Sequence, residues 1–460
     1  MTKPTPSAAT RREFLRRSGA LAITGGAAPF ALNLAGIAEA AAQSSPGYKA
    51  LVCVFLFGGC DHLNTLIPYD TPTYNLYAQH RNGLAIAQND IANTVLTPAS
   101  GLPGGQQYAL GPGLAPLLPL WRSGEMAALL NVGSLAAPTT KAEYGQASHP
   151  KPPKLFSHND QQSVWQTLGS SEGATSGWGG NMGELLASGN GKANFTAISV
   201  SGNAVFLSGR NLIPYLVAPG GSVQIEGLRA NPFGSAAVGN AMRELITNSQ
   251  TNSWLAQAHM DVVKRSISAD ADLRSALAAS TPPNTTGFPA TKLGGQLAMV
   301  SKIIAARSQL GATKQVFFVG MGGFDHHADL LEQHQPMMGQ VASALAAFHT
   351  EMNQLNLGPQ VTSFTASDFG RTNGNGSGSD HGWGGFHFVQ GAAVNGQNFI
   401  GKPPVPGNNG PDDVGSGRML PTLAVDQLAA ELARWMGVSE TNLLQVVPGA
   451  SRFNRISLFR

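Results

Sequence analysis

Three times along the chain an apolar run stops at small residues and a carboxylate follows at once. The segments are VCVFLFGGCDHLNTLIP (Val52–Pro68), VFFVGMGGFDHH (Val316–His327) and VTSFTASDFGR (Val361–Arg371). In an open α/β sheet, ligands bind in the crevice beyond the carboxyl ends of the parallel strands. Three such strands would set Asp61, Asp325 and Asp368 along one edge. His62, His326, His327, His381 and His387 lie near them in sequence. Carboxylates and imidazoles converging at one edge most simply make a metal site. Their mixture suits zinc or manganese, whereas an all-oxygen set would favour calcium or magnesium.

Elements that could position these residues follow from the hydrophobic period. Strands are expected at Ala50–Phe57, Met126–Val132, Ala197–Val200, Val316–Val319, Val361–Thr365 and His387–Gln390. Helical spacing is read at Leu114–Arg122, Gln161–Leu168, Ala236–Ala279, Thr291–Gln309, Pro336–Leu355 and Leu423–Met436. Strand alternating with helix implies an α/β fold, a largely parallel central sheet covered by helices on both faces. Two glycine-rich stretches have no regular pattern. Gly401–Gly417 reads as a mobile surface loop. Asn373–Gly385 carries Asp380-His381-Gly382 and Trp383, and loops bearing such residues on a rigid scaffold are where function concentrates.

The first 42 residues stand apart. Thr10-Arg11-Arg12-Glu13-Phe14-Leu15 is a twin-arginine export signature, followed by an uncharged stretch to Ile37 and an A-x-A cleavage site at Ala38-Glu39-Ala40. The expected partner is the twin-arginine export machinery, and the expected location is the periplasm or beyond. One domain, 46–460, should follow. Of 29 basic and 26 acidic residues, five and two lie in the leader, which leaves 24 of each. A neutral mature chain gives no reason to expect nucleic-acid binding. It also shows no stable membrane span. The two cysteines, Cys53 and Cys60, sit too far apart along one strand to bridge.

The motifs GGCDHLNTLIPY (Gly58–Tyr69), GGFDHH (Gly322–His327), SDFGRT (Ser367–Thr372) and SDHGWGG (Ser379–Gly385) occur in that order, and VDQLAAELARWMGV (Val425–Val438) closes the chain. Together they resemble an exported bacterial family, domain of unknown function 1501, from about Leu51 to Phe453. That family is similar in architecture to the alkaline phosphatase and sulfatase superfamily, an α/β/α sandwich with two metals that activate a Ser, Thr or modified Cys. The resemblance implies metal ligands at Asp61, Asp325, His327, Asp368, Asp380, His381 and His387. Phe369 stands where the superfamily commonly has His, and His381 could return that imidazole from the loop. Which of His326 and His327 points inward stays open, and His387 reads equally as a core histidine.

No C-x-P-x-R motif offers a formylglycine nucleophile. Ser157, at an expected helix N-cap, is the candidate hydroxyl, but Ser is also simply a preferred capping residue. His158 beside it is either a proton donor or a bystander. Arg371 either binds an anionic substrate oxygen or pairs with an acid to hold its loop. The resemblance implies an exported metal-dependent hydrolase of a phosphate or sulfate ester. The alternative is a non-catalytic binding or assembly protein whose metal site is structural or degenerate.

Overall fold

The central strand of the molecule, β1 (Lys49–Phe57), is buried over its inner seven residues because helices cover both of its faces. Ala50, Val52, Val54 and Leu56 point to one side and pack with Leu293, Leu297, Val300, Met338, Leu345 and Phe348. Leu51, Cys53 and Phe55 point to the other and pack with Trp165, Trp178, Met182, Leu428 and Leu432. A strand apolar at every position is what two covered faces require. Each fully buried Leu, Val or Phe contributes roughly 1.5–3 kcal/mol. The computed structural model describes residues 47–460, except 82, 170, 223–225, 229–230, 249–252 and 375. The expected export signal therefore lies outside the described residues.

After β1 come three short strands, β2 (Leu66–Pro68), β3 (Val95–Leu96) and β4 (Tyr108–Leu110), which form a small antiparallel sheet of their own. The main sheet continues with β5 (Met126–Gly133), β6 (Ala197–Ser199), β7 (Tyr215–Leu216) and β8 (Lys314–Gly322). It is completed by β9 (Val361–Ser367), β10 (Gly385–Gln390), β11 (Phe399–Ile400) and β12 (Leu423–Ala424). Its order is β11-β5-β10-β9-β1-β8-β6-β7, with β12 also on β5. Pairing is parallel except at β10, which runs antiparallel to both neighbours. This is a mixed α/β architecture with a largely parallel central sheet, in line with the strand–helix alternation of the sequence.

The helices Lys292–Ala305 and Leu330–Gln354 cover one face; His158–Thr167, Trp178–Leu186 and Val425–Met436 cover the other. Several bounds differ from expectation for local reasons. Pro336 lies inside its helix, which begins six residues earlier at Leu330. The Leu114–Arg122 segment is a 3-10 turn (Pro112–Leu117) followed by a short α-helix (Leu118–Arg122), since its prolines withhold backbone donors. Among the described residues the long helical region holds the helices Ala236–Asn248 and Trp254–Ala279. Cys53 and Cys60 are both buried free thiols. No described helix is long and apolar enough to cross a membrane.

Register brings the three carboxylate turns level. Leu56 lies opposite Met321 on β8 and Ser367 on β9, and Phe57 lies opposite Gly322. The chain leaves all three strands at the same edge, and the Asn373–Gly385 segment enters β10 there.

Candidate metal centre

Asp325, just beyond β8, is the hub. Arg371 Nη1 donates to its Oδ1 at 2.6 Å, and His327 Nε2 lies 3.0 Å and His381 Nε2 3.4 Å from the same oxygen. His158 Nε2 stands 3.3 Å from Oδ2. Burial pushes the Asp325 pKa upward, but the Arg371 hydrogen bond and charge, with His158 and His327, bring it below the usual carboxylate range. Three imidazoles therefore converge on one ionised carboxylate.

Each of two rings is held from behind. His158 Nδ1 is 2.7 Å from Asp368 Oδ2, which also accepts from Gln162 Nε2 and the Gly58 N–H. That hydrogen bond to Asp368 raises the His158 pKa. His381 Nδ1 is 2.7 Å from the carbonyl of Phe156. A carbonyl only accepts, so Nδ1 carries the hydrogen and Nε2 presents a lone pair. Burial lowers the His381 pKa, which favours this neutral ring. Phe369 stands between sheet and imidazoles, its ring 4.8 Å from that of His381 and 4.9 Å from that of His158. Phe369 is thus an apolar wall beside both imidazoles, and His381 reaches it from the loop.

The described residues of Asn373–Gly385 are pinned by backbone hydrogen bonds. Thr372 N–H donates to Asp380 O at 2.9 Å, Gly382 N–H to Gly370 O at 2.8 Å and Gly370 N–H to Trp383 O at 3.0 Å. Trp383 is buried and its indole N–H donates to Ser134 O at 2.8 Å. At the other end, Ser379 N–H donates to His326 O at 3.0 Å. Backbone pairing therefore carries Asp380 and His381 to the sheet edge.

Of the two adjacent histidines, His327 faces outward to the cluster. His326 is buried, and burial lowers its pKa. His158, Asp325 and His381 each put one ligand atom within 4.8 Å of the others, and so do His327, Asp380 and His381. Asp368 is fully buried and joins the cluster through His158.

Four expected site residues are placed otherwise. Asp61 joins neither group: it is fully buried and paired with Arg81 Nη2 at 2.6 Å. Burial would raise its pKa, yet Arg81 and the nearby His334 and His62 bring it below the ordinary value. His387 is a core residue, edge-on to Trp165 at 5.1 Å and 3.3 Å from Thr365 Oγ1. Its full burial lowers its pKa to about 3. Ser157 is the helix N-cap, but its hydroxyl donates to Asp160 Oδ2 at 2.7 Å. Arg371 is fully buried, with Nε on Ser379 Oγ, Nη2 on Ser379 O and Nη1 on Gly58 O and Asp325; it holds the loop. Sequence reasoning missed Arg81 and Gln162, whose polar helices carry no strand-end signal.

No curated protein sequence matches the chain. Among solved structures, it is similar to Ps i-CgsB in complex with k-i-k-neocarrahexaose, at 9% identity over 89% of this chain and 77% of that one, with a TM-score of 0.33. A Bacteroides thetaiotaomicron structure described as BT33494S-sulf, titled for glycosaminoglycan metabolism, matches at 10% identity over 86% and 74%, TM-score 0.32. A mutant of the alkaline phosphatase PafA matches at 12% identity over 72% and 64%, TM-score 0.23. The DUF1501 family model, described as a protein of unknown function, matches residues 48–452, and the chain belongs to that family.

Proposed function

We propose that the chain is an exported metal-dependent hydrolase acting on a phosphate or sulfate ester or a related tetrahedral anion. One observation carries the reading. The His381 Nε2 lone pair faces His327 Nε2 at 3.1 Å and Asp325 Oδ1 at 3.4 Å. A lone pair beside a carboxylate is repulsive unless a positive centre lies between them. A hydrogen on His327 Nε2 can fill that place, and so can a divalent cation. Histidines whose Nδ1–H is tied to a carboxylate or carbonyl, with Nε2 free, are the usual dress of metal-ligating imidazoles. The residues therefore fit a metal.

Asp325, His158 and His381 would hold it, with His327 beside them, and such a donor set suits zinc or manganese. When bound, the cation supplies Lewis acidity toward an ester oxygen. Asp368 orients His158, the Phe156 carbonyl orients His381, Arg371 fixes Asp325, and Phe369 keeps water from beneath the rings. Both ligand groups draw on His381, whose Nδ1 is committed to Phe156, so they compete for one nitrogen. The expected load is about one ion per chain, a departure from the two-metal pattern of the resembled superfamily.

A non-catalytic binding protein on the same fold is the second reading. The Ser157–Asp160 hydrogen bond favours it, because the candidate nucleophile is already engaged. Elemental analysis of the full chain purified without chelators tests the site. About one zinc or manganese per chain is expected. Loss of that ion in Asp325→Asn, with the circular dichroism spectrum kept, assigns it to this cluster. Turnover of p-nitrophenyl phosphate or sulfate separates the two readings. No stoichiometric metal, even after reconstitution, sinks the hydrolase and leaves the binding protein.

A further inference from the structure

The Gly401–Gly417 stretch is built, and it delivers a cation to the site. Buried Asp413 organises it: its carboxylate accepts from the N–H groups of Asn409, Gly415 and Gly417 at 2.7, 2.7 and 2.9 Å. Val414 N–H donates to Arg418 O at 3.0 Å and Arg418 N–H to Gly415 O at 3.2 Å. The turn so closed aims the Arg418 side chain at the metal cluster. Its Nε donates to the carbonyl of His381 at 2.9 Å, and its guanidinium lies 4.6 Å from the centre of the Phe156 ring. Phe156 is the residue whose carbonyl holds His381 Nδ1. It has φ 73°, a left-handed conformation that costs a bulky residue strain and is retained where the surroundings over-determine it. Arg418 stacked on the ring is one of those surroundings.

The anion-binding role sought for Arg371 needs another owner, because that guanidinium is fully buried and engaged at all three nitrogens. Arg418 is 23% exposed. Its Nη1 makes one long contact, 3.4 Å to Gly415 O, and its Nη2 lies 3.8 Å from Asp380 Oδ2. Both outer nitrogens thus retain donors, while Nε and the aromatic ring fix the plane. A guanidinium presented edge-on beside a cation site matches the oxygens of a tetrahedral oxyanion.

We infer that Arg418 is the residue that recognises the anionic oxygens of the substrate, a phosphate or sulfate group, beside His381. This rests on the cation site proposed above and adds to it the residue that reads the ligand.

Titration calorimetry with inorganic phosphate and with sulfate, on metal-loaded full-length chain, tests it. Compared at equal metal loading, Arg418→Ala should weaken phosphate or sulfate binding about 10–100-fold, as loss of a charge-assisted bidentate pair requires. Arg418→Lys, which keeps charge but not the planar fork, should recover only part of that loss. Equal anion affinity in Arg418→Ala and the unmodified protein overturns the assignment. Failure of the unmodified protein to take up metal counts against the cation site instead. In that case the Arg418→Ala difference, measured on metal-free chain, still decides the role of Arg418.

Discussion

At the residue scale, Asp61 separates a reading by position from one by surroundings. It ends the first strand as a metal carboxylate would, and sequence spacing alone could not reveal that Arg81, twenty residues on, reaches back to it. Arg81 also donates through Nη1 to Thr372 O at 3.2 Å and Asn373 O at 2.9 Å, so the pair ties the first turn to the ligand-bearing loop. Removing one partner of a buried ion pair leaves an uncompensated charge and costs about 3–5 kcal/mol. Asp61→Asn is therefore expected to lower the denaturant midpoint sharply, not to leave the fold intact. A variant as stable as the unmodified protein would return Asp61 to the candidate ligands. Asp325 and His381 were legible because each follows a strand or sits in a loop of unusual chemistry. His158 was legible only as a proton donor or a bystander, because its place in the cluster comes from Asp368, over two hundred residues away in the chain.

Elements position the site through close backbone approach. Gly58 has φ 117°, and a Cβ there would stand 2.5 Å from the Asp325 amide nitrogen. Gly59 has φ 83°, and a Cβ there would meet the Phe369 ring at 2.5 Å. The two glycines let the β1 turn lie against those of β8 and β9. Gly58→Ala should destabilise by more than about 2 kcal/mol through strain and overpacking and should also disturb metal binding, since backbone must shift at Asp325. Thermal unfolding with metal analysis in parallel checks this; a stable, fully loaded Gly58→Ala would contradict it. The long strands were legible because two covered faces leave an unbroken apolar run. Thr71–Arg81, TPTYNLYAQHR, escaped because its exposed face is polar and its buried residues are Thr73, Tyr77 and Arg81. Both glycine-rich stretches looked loose because backbone pairing and the Asp413 hub leave no periodic trace.

For the whole molecule, three histidines buried in the folded state set an acid limit. Burial lowers the pKa of His62 to about 4, of His334 to about 4 and of His387 to about 3, against the ordinary 6.5. Around His62 and His334 the Asp61 carboxylate opposes the shift, while Arg81 and neighbouring imidazoles reinforce it. The unfolded chain binds protons at these sites below pH 6.5 while the folded chain does not. Folding stability is therefore complete above that pH and falls as pH drops toward 4. The slope approaches roughly 1.4 kcal/mol per pH unit for each histidine. Three together would remove several kcal/mol across this window, a large share of a typical domain's margin. Urea midpoints measured in steps from pH 7.5 to 4.5 should decline steeply below 6.5. His387→Phe, which removes one titrating group from the core beside Trp165, should make the decline shallower. A profile flat down to pH 4.5 would mean that these rings take up protons in the native state, so that the polar interior around them is wetter and looser than the packing shows.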